Sequence, residues 1–258
     1  MHSRELSSIV MVIAFAVANA ASPASATLVA TDSVSNYANK QPYVGLNLGF
    51  GFGAWTALGG TGVNLTEATG FQQSADTGNN TYTVSRGITT PLASGYTLSL
   101  TLAANEAKKT GNGTSLLLFV AGAQAASISL TYDGPDNWLW DDGSGPVETG
   151  VVYVKAAPAT ITFTRSVSSL DGYAVTFSQA GQTTFQTTGV ITGAASSSAI
   201  DSLRFVTTSG TNSNTSLTYD TLQVQSVPEP STAVMLSLAA LAWLVRMFRR
   251  QSEQSVCL

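Results

Sequence analysis

Short runs of strictly alternating apolar and polar residues, set between turn residues, decide what this chain can fold into. Tyr96-Thr97-Leu98-Ser99-Leu100-Thr101-Leu102 puts its leucines on one side of an extended backbone, because successive side chains of a β-strand point to opposite faces. Ile128, Leu130 and Tyr132 alternate with Ser129 and Thr131, and Ile161 and Phe163 alternate with Thr160, Thr162 and Thr164. Tyr173, Val175 and Phe177 follow the same rule after Asp171-Gly172, so these last two runs read as a hairpin. Leu116 to Val120 is continuously apolar, the pattern of a strand covered on both faces. Leu203 to Val206 and Leu217 to Val224 supply late strands.

Turn residues separate these segments at Gly78-Asn79-Asn80, Asn112-Gly113, Asp133-Gly134-Pro135, Asp142-Gly143 and Gly210-Thr211-Asn212. No stretch of the body holds a helical period; the nearest, Leu102 to Lys109, is short and stops at Gly111. Many short strands at regular spacing predict an all-β fold, a two-sheet antiparallel β-sandwich.

The two ends obey other rules. Residues 1–26 read as a signal peptide, cut by signal peptidase. Arg4 leads, an apolar run follows from Ile9 to Ala18, and Ala18-Asn19-Ala20 and Ala24-Ser25-Ala26 both fit the small-residue cleavage pattern. Residues 227–258 hold an apolar stretch from Ser231 to Val245, extended by Met247-Phe248 and followed by Arg246, Arg249 and Arg250. This is a short transmembrane helix over about residues 231–248, with Arg246 snorkelling to the interface. Positive charge after the span predicts a cytoplasmic C-terminus, and a cleaved N-terminal signal puts the body on the opposite side. The body is residues 27–226, a length that suits a single β-domain.

Composition removes several chemistries from that body. The only histidine is His2 and the only cysteine is Cys257, both in the terminal segments. Ser-His-Asp and Cys-His nucleophile systems are therefore absent from the body, as are His/Cys zinc sites, haem ligation through these residues and disulfide staples. The body carries 12 acidic and 7 basic residues, a net charge of −5, and its one basic pair is Lys108-Lys109. Nucleic-acid binding requires a phosphate-neutralising basic surface, so no nucleic-acid partner is expected.

Val227-Pro228-Glu229-Pro230, then the apolar span, then Arg246, Arg249 and Arg250 resemble the PEP-CTERM sorting domain over about the last 30 residues. The resemblance implies an exosortase partner, a membrane cysteine protease cutting near Pro228-Glu229-Pro230, with Glu229 as a recognition residue. It implies an exported protein, held first in the inner membrane and then delivered to the cell surface or extracellular matrix, in bacteria that make exopolysaccharide. Eight residues, Gln251 to Leu258, follow the arginines, where family members usually stop sooner. The body in turn is similar to jelly-roll, concanavalin A-like sandwiches of PEP-CTERM proteins. The residues that carry this likeness are Gly51-Phe52-Gly53-Ala54-Trp55, Asp142-Gly143-Ser144-Gly145 and Ile200-Asp201-Ser202-Leu203-Arg204-Phe205. It implies a fold that often binds glycans, not a defined activity.

The candidate ligand residues cluster around Trp138-Leu139-Trp140. In a strand both indoles point the same way. Exposed, they would stack on sugar rings and make the body a carbohydrate-binding module for exopolysaccharide; buried, they are core. Asp133, Asp136, Asp141 and Asp142 flank them. They are oxygen ligands of the kind calcium takes, although their spacing is not that of an EF-hand and Asp-Gly also marks a turn. No other cofactor is indicated. A glycoside hydrolase needs two carboxylates facing each other across a cleft; Glu67, Glu106 and Glu148, the body's glutamates, offer no closely spaced pair. The expected function is a non-catalytic surface or matrix protein.

Overall fold

The computed structural model describes residues 26–106, 111–131, 136–166, 171–192, 199–211 and 213–226, together with Arg246. Asp133, Val227, Pro228, Glu229, Pro230, Arg249, Arg250 and most of the signal segment lie outside the described residues. Residues 27–227 form one compact unit. Among the described residues, no helix is long and apolar enough to cross a membrane.

The unit is the expected two-sheet antiparallel sandwich. Its strands are β1 (Leu28–Asp32), β2 (Phe52–Gly59), β3 (Gly62–Glu67), β4 (Gly70–Ala75), β5 (Thr81–Leu92), β6 (Tyr96–Asn105), β7 (Gly113–Val120) and β8 (Ala123–Thr131). They continue as β9 (Asn137–Asp141), β10 (Val147–Val152), β11 (Ala159–Arg165), β12 (Gly172–Gln179), β13 (Phe185–Val190), β14 (Ile200–Thr208) and β15 (Thr215–Ser226). The first sheet runs β13-β12-β11-β6-β15-β4-β3, and β1 also pairs with β15. The second runs β10-β9-β8-β7-β14-β5-β2. Every pairing is antiparallel.

The alternation seen in the sequence sets which side chains face inward. Leu98, Leu100 and Leu102 of β6, Ile161 and Phe163 of β11, and Tyr173, Val175 and Phe177 of β12 are all buried. Their threonine and serine neighbours form the outer face of the first sheet, where Thr162 pairs with Ser99 and Thr176. Burying one such large apolar side chain is worth about 1.5–3 kcal/mol. β11 and β12 are the expected hairpin partners, in register from Ala159↔Gln179 to Arg165↔Tyr173. In β7 the run from Leu116 to Val120 splits: Leu116, Leu118 and Val120 join the core. Phe119 is covered from outside by the Arg204 guanidinium, 3.6 Å from its ring centroid, and Leu117 stays part-exposed.

β15 is the longest-reaching element of the first sheet. Along one side it pairs with β6 from Leu217 to Ser226. Along the other, its first half pairs with β4 and its second half with β1. The partners change at a bulge where Thr221 adopts φ 33°, because an extra residue lets one strand serve two successive neighbours.

Candidate functional site

Two aromatic clusters fill the two lateral halves of the sandwich, and the residues singled out by the sequence lie in one of them. Trp138 and Trp140 of β9 project inward at 1% and 3% exposure. A stacking platform needs an exposed indole face, and neither ring has one; both are core. The Trp138 ring centroid lies 5.0 Å from that of Phe177, and Trp140 lies 6.1 Å from Phe163 and 5.4 Å from Tyr173. Each indole N–H finds an acceptor, as buried tryptophans usually do. Trp138 Nε1 donates to Gln179 Oε1 at 3.2 Å, and Trp140 Nε1 to Tyr173 Oη at 3.1 Å.

The chain of donors continues to the acidic turn. Tyr173 Oη donates to Asp142 Oδ2 at 2.7 Å. Asp142 Oδ1 accepts from the Ser144 N–H at 3.1 Å and its hydroxyl at 2.6 Å. Asp141 Oδ1 accepts from Gly143 N–H at 2.8 Å and Gly145 N–H at 3.1 Å. Burial works against ionisation of Asp142, but the hydrogen bonds from Ser144 and Tyr173 outweigh it and hold the carboxyl below its ordinary 3.8. Burial, and then the bond to the carboxylate, push the Tyr173 phenol up to about 12. These two aspartates therefore build the β9–β10 turn and anchor Tyr173. Asp136 precedes β9, and among the described residues no three acidic or other metal-binding side chains come together to hold an ion.

Beside this cluster is an open groove of about 520 Å³, lined by Thr164–Ser166, Gly172–Ala174 and Thr188–Val190. Trp140 and Asp142 hold Tyr173, one of its lining residues, by hydrogen bonds and do not themselves line the groove. Gly189 makes room for the phenol: a Cβ there would meet Tyr173 Oη at 2.7 Å. The sequence pointed to the supporting residues and missed the lining, because most of it, the threonines and glycines, is indistinguishable from other strand and turn residues. Two signals were available: Gly189, a glycine interrupting the strand Phe185–Val190, and Arg165, a cation in the inward phase of Ile161 and Phe163.

The opposite half is organised by a charge pair. Asp32 of β1 and Arg86 of β5 link the two sheets, both at 0% exposure. Arg86 also donates from Nε to Gly53 O at 3.0 Å and from Nη2 to Asn47 Oδ1 at 2.9 Å. Its guanidinium lies 4.6 Å from the Trp55 ring centroid and 5.0 Å from that of Phe52. Asp32 accepts from the Tyr37 hydroxyl at 2.9 Å and from Asn36 Nδ2 at 3.3 Å. Around them pack Tyr43, Trp55, Phe71, Phe205 and Tyr219, with Tyr43 and Tyr219 sharing a 2.8 Å hydroxyl hydrogen bond. Burial pushes both phenols well above their ordinary 10. The pair has a full complement of donors and no opening, which is the pattern of a buried structural ion pair.

The glutamates do not converge. Glu67 on β3 is paired with exposed Lys40 at 2.7 Å. Glu148 on β10 accepts from Asn137 Nδ2 at 3.1 Å. β3 and β10 lie at opposite lateral ends of the sandwich, roughly six interstrand spacings or ~29 Å apart. Glu106 follows β6, in the middle of the first sheet.

No family model matches the chain, and no curated protein matches it. Several solved structures are similar in fold. The lectin UEA-II complexed with galactose is 11% identical, with 75% of this chain and 98% of that one covered and a TM-score of 0.47. A legume lectin-like domain from Entamoeba histolytica is 13% identical, with coverages of 64% and 88% and a TM-score of 0.46. An alginate lyase from Klebsiella pneumoniae is 9% identical, with coverages of 63% and 84% and a TM-score of 0.45.

Proposed function

We propose that this is an exported, non-catalytic surface or matrix protein, delivered by its terminal segments and acting through the outside of its β-sandwich. The observation that supports the non-catalytic reading is the dispersal of its glutamates. Glu67 and Glu148 sit at opposite ends, while Asp141 and Asp142 are engaged in a turn. The body has no imidazole or thiol to replace them. Glycoside cleavage needs two carboxyl groups about 5–10 Å apart.

In this reading residues 1–26 direct export, and Pro228-Glu229-Pro230 with the span and arginines after it serve as an exosortase substrate. The test is fractionation of a host that has an exosortase. The wild-type chain is expected to leave the inner membrane and the Glu229→Ala chain to remain there. Retention of both would reduce the segment to a plain anchor. Release of reducing ends from the host's exopolysaccharide by the purified protein would sink the non-catalytic half.

A second reading, glycan binding, is favoured by the groove and its Thr164, Ser166 and Thr188 hydroxyls. It predicts retention on exopolysaccharide that is lost when Ala174→Arg fills the groove. Retention unchanged by that substitution would move the binding elsewhere.

A further inference from the structure

The four lateral edges of the sandwich are finished differently. The outer side of β3 is occupied: Lys40 N–H donates to Thr66 O at 2.8 Å, and Thr66 N–H donates to Gln41 O at 2.9 Å. The outer side of β2 is occupied at Trp55, whose N–H donates to Leu46 O at 3.1 Å and whose carbonyl accepts from Gly45 N–H at 2.7 Å. The edge β10 is broken by a register shift between Glu148 and Val152, with Gly150 at φ 70°, and it carries a carboxylate. These are the usual devices that stop a sheet edge from recruiting another strand.

β13 has none of them. It pairs with β12 without a register shift from Gly172↔Val190 to Phe177↔Phe185. Among the described residues, the backbone of 185–190 makes no hydrogen bond other than those with β12. Residues 181–192 contain no charge and no proline. Val190, at 56% exposure, is the most exposed large apolar residue described.

We propose that β13 is an interaction edge and that its partner is β13 of a second copy of this chain, added antiparallel about a two-fold axis. An isologous contact sets each residue type against its own surface patch. Like charges placed directly opposite are unfavourable, so an edge without charges can pair with itself with no repulsion. Here an otherwise acidic body presents, among the described residues, one unpaired edge that is both unbroken and without a charge. Side chains alternate between faces, so outward residues stay outward only if the axis passes level with a single residue. An axis at Thr188 sets Thr188 against its copy, Thr187 against Gly189 and exposed Gln186 against exposed Val190. It joins two first sheets into one and brings two grooves to the shared edge, since Thr188–Val190 line them.

The chain's single cysteine, Cys257, makes the test direct. Residues opposed across an antiparallel pair have Cα atoms about 4.5–5.5 Å apart, within disulfide reach. The full chain carrying Cys257→Ser and Thr188→Cys is expected to oxidise to a homodimer. The same chain with Thr160→Cys, on the exposed outer face of β11, is expected to remain monomeric. Adding Gln186→Lys, a surface change that leaves the fold intact, is expected to reduce the Thr188→Cys dimer to the Thr160→Cys level. Equal cross-linking at positions 188 and 160, or a dimer unaffected by Gln186→Lys, would overturn the proposal. Cross-linking of position 188 to a different polypeptide would overturn the choice of a second copy.

Discussion

The two halves of this sandwich solve the same problem, closing a space between twisted sheets with large aromatic side chains and a buried arginine, by different electrostatic means. Near β2 and β3 the closure is a charged pair, Asp32 and Arg86, both at 0% exposure and contacted by Asn36, Tyr37, Asn47 and Trp55, whose Nε1 has no hydrogen-bond partner among the described residues. Near β10 and β13 a neutral relay, Trp140 to Tyr173, ends on the partly solvated carboxylate of Asp142, and beside it the buried cation Arg165 lines the open groove within the field of Asp171. A charge sealed from water, like the Asp32–Arg86 pair, depends on its partners for everything water would supply. A neutral relay terminated at the surface can stand beside an open groove. The covered half is therefore suited to holding the fold, and the uncovered half is free to meet something else.

That contrast can be broken most severely at the charge pair. Arg86→Met leaves Asp32 buried and uncompensated, and is expected to cost about 3–5 kcal/mol in urea unfolding. A loss below 1 kcal/mol would mean that solvent already reaches this half. Tyr173→Phe removes the link between Trp140 and Asp142, and a loss of about 1–3 kcal/mol is expected from the orphaned indole N–H; water replacing the hydroxyl would bring the cost near zero and mark the relay as open. Gly189→Ala crowds the Tyr173 hydroxyl, and about 1 kcal/mol is expected, together with a changed groove that tryptophan fluorescence of the neighbouring Trp140 should register.

The smallest effect is on pH dependence. The Asp142 pKa is lowered in the folded state, so its contribution is present above the ordinary value of 3.8 and is lost as pH falls through the lowered folded value. The Tyr173 pKa is raised to about 12, so its contribution is intact below 10 and is lost as pH rises through 12. Tyr173→Phe should weaken the acid limb and reduce the alkaline one, to which Tyr43 and Tyr219 also contribute; an unchanged profile would assign both limbs to other groups.

The sequence made the centre of the sandwich legible. β6, β8, β11, β12, β14 and β15 all contain runs where apolar and polar residues alternate, and one face of each is buried. Tryptophans two residues apart implied a shared face, and which face followed only from what β11 and β12 place opposite them. The edges were harder to read. β13 reads Phe-Gln-Thr-Thr-Gly-Val, a pattern too polar to announce a strand, because an edge is packed less on both faces. The charge pair is separated by 54 positions and has no motif. Its trace is positional: Arg86 occupies the inward phase of Tyr82, Val84 and Ile88, where a cation must have a partner. Gly181 to Thr192 shows the reverse case, in which the absence of charge acquires meaning only after the other edges are seen to be covered, broken or charged.

The placement of β15 also has a mechanical consequence. Its last residue, Ser226, lies against Thr27, with hydrogen bonds of 2.9 and 3.0 Å between them. The strand behind it is held along one flank by β6 and along the other by β1 and then β4. A load applied at Ser226 along the strand must therefore slide a central strand past neighbours on both sides, straining many hydrogen bonds in parallel. A load on an edge strand such as β13 would part them one after another. Tethered through its C-terminal side, the body would hang from one of its most force-resistant strands.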